Sequence, residues 1–95
     1  MTIQGTIGFL GYGNMGSAIL EGLIHQGTLS GRHAIIYDPV PARCEAAEAV
    51  GARTASSLEE LVLESDLLLL AVKPQLMQDV LDEVKQHLDT KTLVI

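Results

Sequence analysis

Residues 7–16 read Ile7-Gly8-Phe9-Leu10-Gly11-Tyr12-Gly13-Asn14-Met15-Gly16, an apolar run of strand length followed by G-x-G-x-x-G on Gly11, Gly13 and Gly16. Behind it Ile19, Leu20, Leu23 and Ile24 recur at helical spacing, so the glycines sit between a predicted strand and a predicted helix. That context separates a dinucleotide fingerprint from a chance cluster of glycines. Each glycine answers a different demand: a tight turn at Gly11, backbone approach to a pyrophosphate at Gly13, and close helix-to-strand packing at Gly16. Amides of the first helical turn, with the positive end of the helix dipole, then face the phosphates. Leu10, Gly11, Tyr12, Gly13, Asn14, Met15 and Gly16 therefore form the candidate cofactor loop.

Outward from this stretch, apolar runs of strand length alternate with segments of helical period, which argues for an α/β fold with a parallel sheet. The first strand spans about Thr6 to Leu10 and the first helix about Asn14 to Gln26, with Gly27 beyond its end as a C-cap. A second strand, His33 to Asp38, meets Pro39 and Pro41, which stop it and pre-set a helix running to about Val50. Gly51 caps that helix, and Ala52 to Thr54 forms a short third strand. Ser57-Leu58-Glu59-Glu60 reads as a capping box opening a helix to about Glu64. Leu67 to Val72 is apolar on both faces, as a central parallel strand requires. Leu76, Val80, Val84 and Leu88 mark one buried stripe of a fourth helix, and Thr92 to Ile95 a fifth strand. Right-handed crossovers then give a Rossmann-like, doubly wound, three-layer αβα domain with strand order 3-2-1-4-5. Its ligand crevice lies between strands 1 and 4, at their carboxyl ends.

The bulk properties narrow the partners. At 95 residues the chain fits one domain. A formal charge of −6 and a pI near 4.8 argue against nucleic acid and anionic membrane surfaces. One cysteine, Cys44, makes no disulfide framework and fits a reducing cytoplasm. No basic, apolar leader opens the sequence, and Leu67 to Val72 is far shorter than the roughly 20 residues a spanning helix needs. His25, His33 and His87 stand without partners at metal spacing, so no metal site is expected.

Three segments converge on the crevice. Asp38 ends the second strand 22 residues after Gly16, where a carboxylate can accept both hydroxyls of an adenosine ribose. This favours NAD(H) over NADP(H), whose 2′-phosphate the carboxylate repels unless a cation answers it. Arg43, five residues on, can supply that cation. Asp38 before Pro39 also reads as an ordinary turn residue. Lys73 leaves the most buried strand beside Pro74, and either meets the cofactor or points to water. Asn14 either caps the first helix or approaches the cofactor. No nucleophile–base pair or carboxylate dyad stands out, so no catalytic acid or base is assigned.

Ile7 to Gly16, Gly22-Leu23-Ile24 and Leu70-Ala71-Val72-Lys73-Pro74-Gln75 together resemble the N-terminal domain of the pyrroline-5-carboxylate reductases. The pairing of G-x-G-N-M with A-V-K-P-Q is far more specific than the glycines alone, and the resemblance covers essentially the whole chain. It implies hydride transfer from NAD(P)H to the imine carbon of 1-pyrroline-5-carboxylate, the last step of proline biosynthesis. It also implies that Leu10 through Met15 hold the pyrophosphate, Asp38 the adenosine ribose, and Ala71, Val72, Lys73 and Pro74 the wall beside the nicotinamide ribose. Many members carry a small polar residue at the position of Asp38. The aspartate here turns the expectation toward NAD(H). Many also carry a cofactor-touching asparagine where this chain has Ser56-Ser57-Leu58, so nothing is carried over there.

The family's substrate pocket and dimerisation surface belong to a helical C-terminal domain that follows the fifth strand. The chain is thus expected to supply a cofactor domain with little activity of its own, and homo-oligomers to form through the C-terminal part. Two other readings keep the fold: a free-standing NAD(P)-binding module or sensor without catalysis, and an oxidoreductase acting on a β-hydroxyacid or another imine.

Overall fold

The computed structural model describes residues 5–72, 75 and 77–86, together with the backbone of residues 93–94. Among the described residues five strands and four helices alternate as β1 (Ile7–Leu10), α1 (Asn14–His25), β2 (Ala34–Tyr37), α2 (Pro41–Ala49), β3 (Arg53–Thr54), α3 (Leu58–Glu64), β4 (Leu67–Leu70), α4 (Met77–Lys85) and β5 (Leu93–Val94). A 3-10 turn, Gly31–His33, leads into β2, so His33 belongs to the turn and not to the strand. All four strand pairings are parallel, and the order is β3-β2-β1-β4-β5, as the crossover argument required. Lys73, Pro74, Leu76, His87, Leu88, Thr92 and Ile95 carry expectations that lie outside the described residues.

The alternation of side chains along each strand divides the core into two layers. On one face Ile7, Phe9, Ala34 and Ile36 pack with Leu20 of α1 and Ala47 of α2. On the other, Leu10, Ile35 and Leu68 pack with Leu58, Leu61 and Val62 of α3 and Val84 of α4. Every residue of β1 is buried, because this strand lies mid-sheet with helices over both sides. The three-layer αβα arrangement therefore follows directly from near-continuous apolar strands.

Strand and helix ends are tied locally. Thr6 lies outside β1, but its carbonyl accepts from the amides of Asp66 and Leu67, and its own amide donates to Asp66 Oδ2 at 2.8 Å. Pro41 occupies the first turn of α2, where its missing donor costs nothing. After α1 the chain turns at Gly27, and the amide of Thr28 reaches back to the carbonyl of Leu23. At α3 the Ser57 hydroxyl accepts from the amide of Glu60 at 3.1 Å, as expected of a cap. The carboxylate of Glu60 reaches one residue further back than expected, to the amide of Ser56 at 2.7 Å.

One expected core position is not buried. Helical spacing places Ile19 with the inner stripe of α1, yet it is 37% exposed, whereas Leu20 is fully buried and Leu23 and Ile24 are half-buried. The inner stripe runs through Gly16, Leu20, Leu23 and Ile24, and Ile19 falls about 100° from Leu20 around the helix. It shares the outer face with Met15, one turn earlier and 55% exposed.

Candidate functional site

The glycine loop is shaped by what a side chain would strike. Gly11 has φ +98°, and a Cβ there would lie 2.6 Å from the carbonyl oxygen of Ala71. Only glycine accepts both the left-handed backbone and that approach. A Cβ at Gly16 would lie 2.6 Å from the carbonyl oxygen of Gly11, so the first turn of α1 can sit directly against the loop. Gly13 is the N-cap residue of α1, and no side chain caps the helix. The amides of the first turn are thus turned toward the cleft without a side-chain oxygen in front of them, the arrangement an anion requires. Asn14 is the first helical residue rather than the cap, since the loop glycine already occupies that position.

The loop is anchored to both neighbouring strands. The amide of Gly11 donates to the carbonyl of Tyr37 at the end of β2, and the amide of Ala71 donates to the carbonyl of Leu10. Asp38 is 7% exposed; its Oδ2 accepts from the amide of Tyr12 at 2.8 Å and its Oδ1 from the amide of Val40 at 2.9 Å. The second bond makes an Asx turn, so the turn role anticipated for Asp38 is present in the structure. The first links that turn to the glycine loop across 26 positions of sequence. Arg43 Nη1 lies 3.5 Å from Asp38 Oδ2, and the Cys44 thiol donates to the Asp38 carbonyl at 3.2 Å.

A cleft of about 1060 Å³ opens at the carboxyl ends of β1, β2 and β4. Leu10, Gly11, Tyr12, Gly13, Asn14 and Met15 line it, together with Asp38, Ala71 and Val72. Gly16 does not line it; it is buried behind the loop, in the packing role expected of it. Lys73 and Pro74 lie outside the described residues. The volume is that of a cofactor or large-ligand site.

Against this geometry the comparisons are unambiguous. Residues 6–95 match the family described as "NADP oxidoreductase coenzyme F420-dependent". The chain belongs to this family. Within it the expected likeness to pyrroline-5-carboxylate reductases is borne out. The enzyme of that name from Escherichia coli (strain K12) is 39% identical over 90 residues, covering 94% of this chain and 34% of the relative. Among solved structures, pyrroline carboxylate reductase from Plasmodium falciparum with NADP bound superposes with a TM-score of 0.80 at 28% identity, covering 100% of this chain and 34% of that one. The Coxiella burnetii pyrroline-5-carboxylate reductase gives a TM-score of 0.83 at 26% identity, covering 98% and 36%. The chain spans about a third of the length of the relatives it matches. These findings place it among NAD(P)-dependent oxidoreductases with a Rossmann-like domain.

Several positions that line the cleft carry no sequence signal. Ser17 and Glu21 of α1, Ala46 of α2, Leu58 of α3, and Val80 and Glu83 of α4 all contribute to its walls. They read as ordinary helix residues because only helix packing brings them to the cleft. The family's motif also gives no hint of the state of Tyr12. Its ring is 3% exposed in the core beneath α1 and α2, and its hydroxyl has no hydrogen-bond partner among the described residues. Burial pushes the phenol above its ordinary value of 10.0, and the negative charge of Glu21 adds to the shift.

Tyr12→Phe removes the unpaired hydroxyl and keeps the ring. It is expected to raise the unfolding free energy by about 1 kcal/mol. That corresponds to roughly 4–8 °C in a thermal melt of a domain this size. A folded pKa above the unfolded one means that stability is intact below about pH 10 and falls as pH rises beyond it. The phenylalanine variant should lack this Tyr12 contribution to the alkaline fall, which melts recorded on both sides of pH 10 would reveal.

Proposed function

We propose that this chain is the dinucleotide-binding part of a pyrroline-5-carboxylate reductase, which passes a hydride from NADH or NADPH to the imine carbon of 1-pyrroline-5-carboxylate and yields proline. The observation that carries this reading is the glycine cradle, with Gly11 and Gly16 each within 2.6 Å of a backbone oxygen at the Cβ position and a helix N-terminus free of side-chain caps. The 39% identical relative of that name supports the substrate.

In this reading the loop from Leu10 to Met15 cradles the pyrophosphate, with the amides at the start of α1 facing it, since those of Gly11 and Tyr12 already donate to Tyr37 and Asp38. Asp38 stands on the adenosine side, while Ala71 and Val72, with Lys73 and Pro74 following in sequence, wall the nicotinamide ribose. The reduced nicotinamide supplies the hydride when bound. The residues of this chain bind and orient it, and Leu10, Ala71 and Val72 give that end of the cleft an apolar wall. No group of this chain is assigned as acid or base.

The test is cofactor oxidation by the protein as its gene encodes it, with 1-pyrroline-5-carboxylate as substrate and proline measured as product. Imine-dependent oxidation with stoichiometric proline is expected. Dinucleotide binding without turnover of the imine would replace the proposal with a non-catalytic binding module. Turnover of a β-hydroxyacid in its place would move the chain to a related oxidoreductase.

A further inference from the structure

Helix α1 carries two apolar stripes, and the domain covers one of them. The inner stripe packs on the sheet through Leu20, Leu23 and Ile24. On the outer side Met15, Ala18, Ile19 and Gly22 stand at i, i+3, i+4 and i+7, and all four are exposed. Among the described residues neither core layer takes them in. The polar residues Asn14, Ser17, Glu21 and His25 are left a single narrow arc of the helix. One apolar stripe is what a surface helix needs to sit on its own domain, and a second, rimmed by polar residues, marks a second partner.

The relief of the outer stripe suits another helix. Met15 and Ile19 form one i, i+4 row of large side chains, and Ala18 and Gly22 form a neighbouring row of small ones, a ridge beside a groove. A Cβ at Gly22 would meet nothing within 4 Å among the described residues, so nothing in this domain asks for glycine there. Glycine inside a helix is destabilising relative to alanine. A backbone arriving close from outside the domain accounts for it.

The face is too small for a second copy of the chain. A stable dimer takes roughly 20–30 residues a side, and each copy carries a formal charge of −6, which sets the copies against one another. A segment of the same polypeptide needs far less area, because the tether raises its effective concentration. The Escherichia coli relative has such a segment, since the match covers 34% of its length. Strand β5 runs parallel to β4 with Val94 opposite Leu68, so it points to the carboxyl edge of the sheet, where Met15 lines the cleft. We infer that the outer face of α1 docks an apolar helix from the polypeptide that follows residue 95, with the closest approach at Ala18 and Gly22. Seated against Met15, that helix supplies part of the rim of the cleft from outside this domain. The inference rests on membership of a family with longer relatives and not on the substrate.

Thiol labelling of the protein as its gene encodes it, without dinucleotide or imine, tests the inference. Peptide mass mapping separates each introduced cysteine from Cys44. Ile19→Cys should react at least about tenfold more slowly than Glu21→Cys on the polar arc of the same helix, the factor that about 1.4 kcal/mol of docking gives. Dilution should leave that ratio unchanged. Gly22→Ala should lower Tm, whereas on a free helix face the gain in helix propensity would raise it. Equal labelling of the two cysteines, or a Gly22→Ala protein with a higher Tm, would overturn the inference. So would protection of Ile19→Cys that fades on dilution, which would give the face to a second copy, and so would a reading frame that stops at Ile95. The labelling and melting results leave the dinucleotide and imine readings standing, because cofactor oxidation decides those separately.

Discussion

Gly11→Ala is expected to lower dinucleotide affinity by roughly a hundredfold, the cost of displacing a binding loop by about an ångström. It should also destabilise the fold by about 2–4 kcal/mol, through left-handed strain and an unrelieved contact. Both effects have one origin. At φ +98° a side chain meets the carbonyl of Ala71 at 2.6 Å, and that carbonyl belongs to backbone held by the Leu10–Ala71 hydrogen bond. Neither side can yield by rotating a side chain. The loop must move, and with it the Tyr12 amide on Asp38 and the amide of Gly11 on Tyr37. Isothermal calorimetry and urea denaturation on the same protein read the two losses together. A Gly11→Ala protein with wild-type affinity would show that the loop does not approach the ligand.

Phe9→Ala should cost about 3–5 kcal/mol, the range for emptying a large aromatic from a core. That is a large share of the 5–15 kcal/mol that holds a typical domain folded. Phe9 is fully buried at the middle of the sheet and is the single phenylalanine of the chain. It packs in the layer formed with Leu20 and Ala47, so no neighbouring surface loop can collapse into the space. The urea midpoint should fall with little change in slope, and Tm should drop by at least about 12 °C. Phe9→Leu, which keeps much of the volume, should lose less than about 2 kcal/mol. Equal losses for the two would argue that ring shape, not filled volume, holds this layer.

Much of the fold was legible residue by residue. The doubly apolar run at Leu67 to Leu70 announced a strand covered on both sides, and the alternation of runs with helical segments, under the rule of right-handed crossovers, left one strand order. Pro41, Gly27 and Ser57 marked element ends through backbone chemistry that acts within a few residues. Ile19 shows the limit of such reading. Four apolar residues within one and a half turns cannot all face one stripe, and only the sheet beneath α1 selects which three do.

The candidate site divides in the same way. The sequence by itself determined the glycine loop, the parallel sheet and the crevice at its carboxyl edge. Turn geometry, hydrophobic period and crossover handedness are properties of the local chain and of its chirality. Tertiary structure alone decided that Asp38 holds the Tyr12 amide, that Arg43 rests against Gly13, that the Tyr12 hydroxyl is buried, and that α3 and α4 wall the cleft. Each of these is a distance between segments far apart along the chain, and such distances are set by how helices pack on the sheet and not by any residue's own preference.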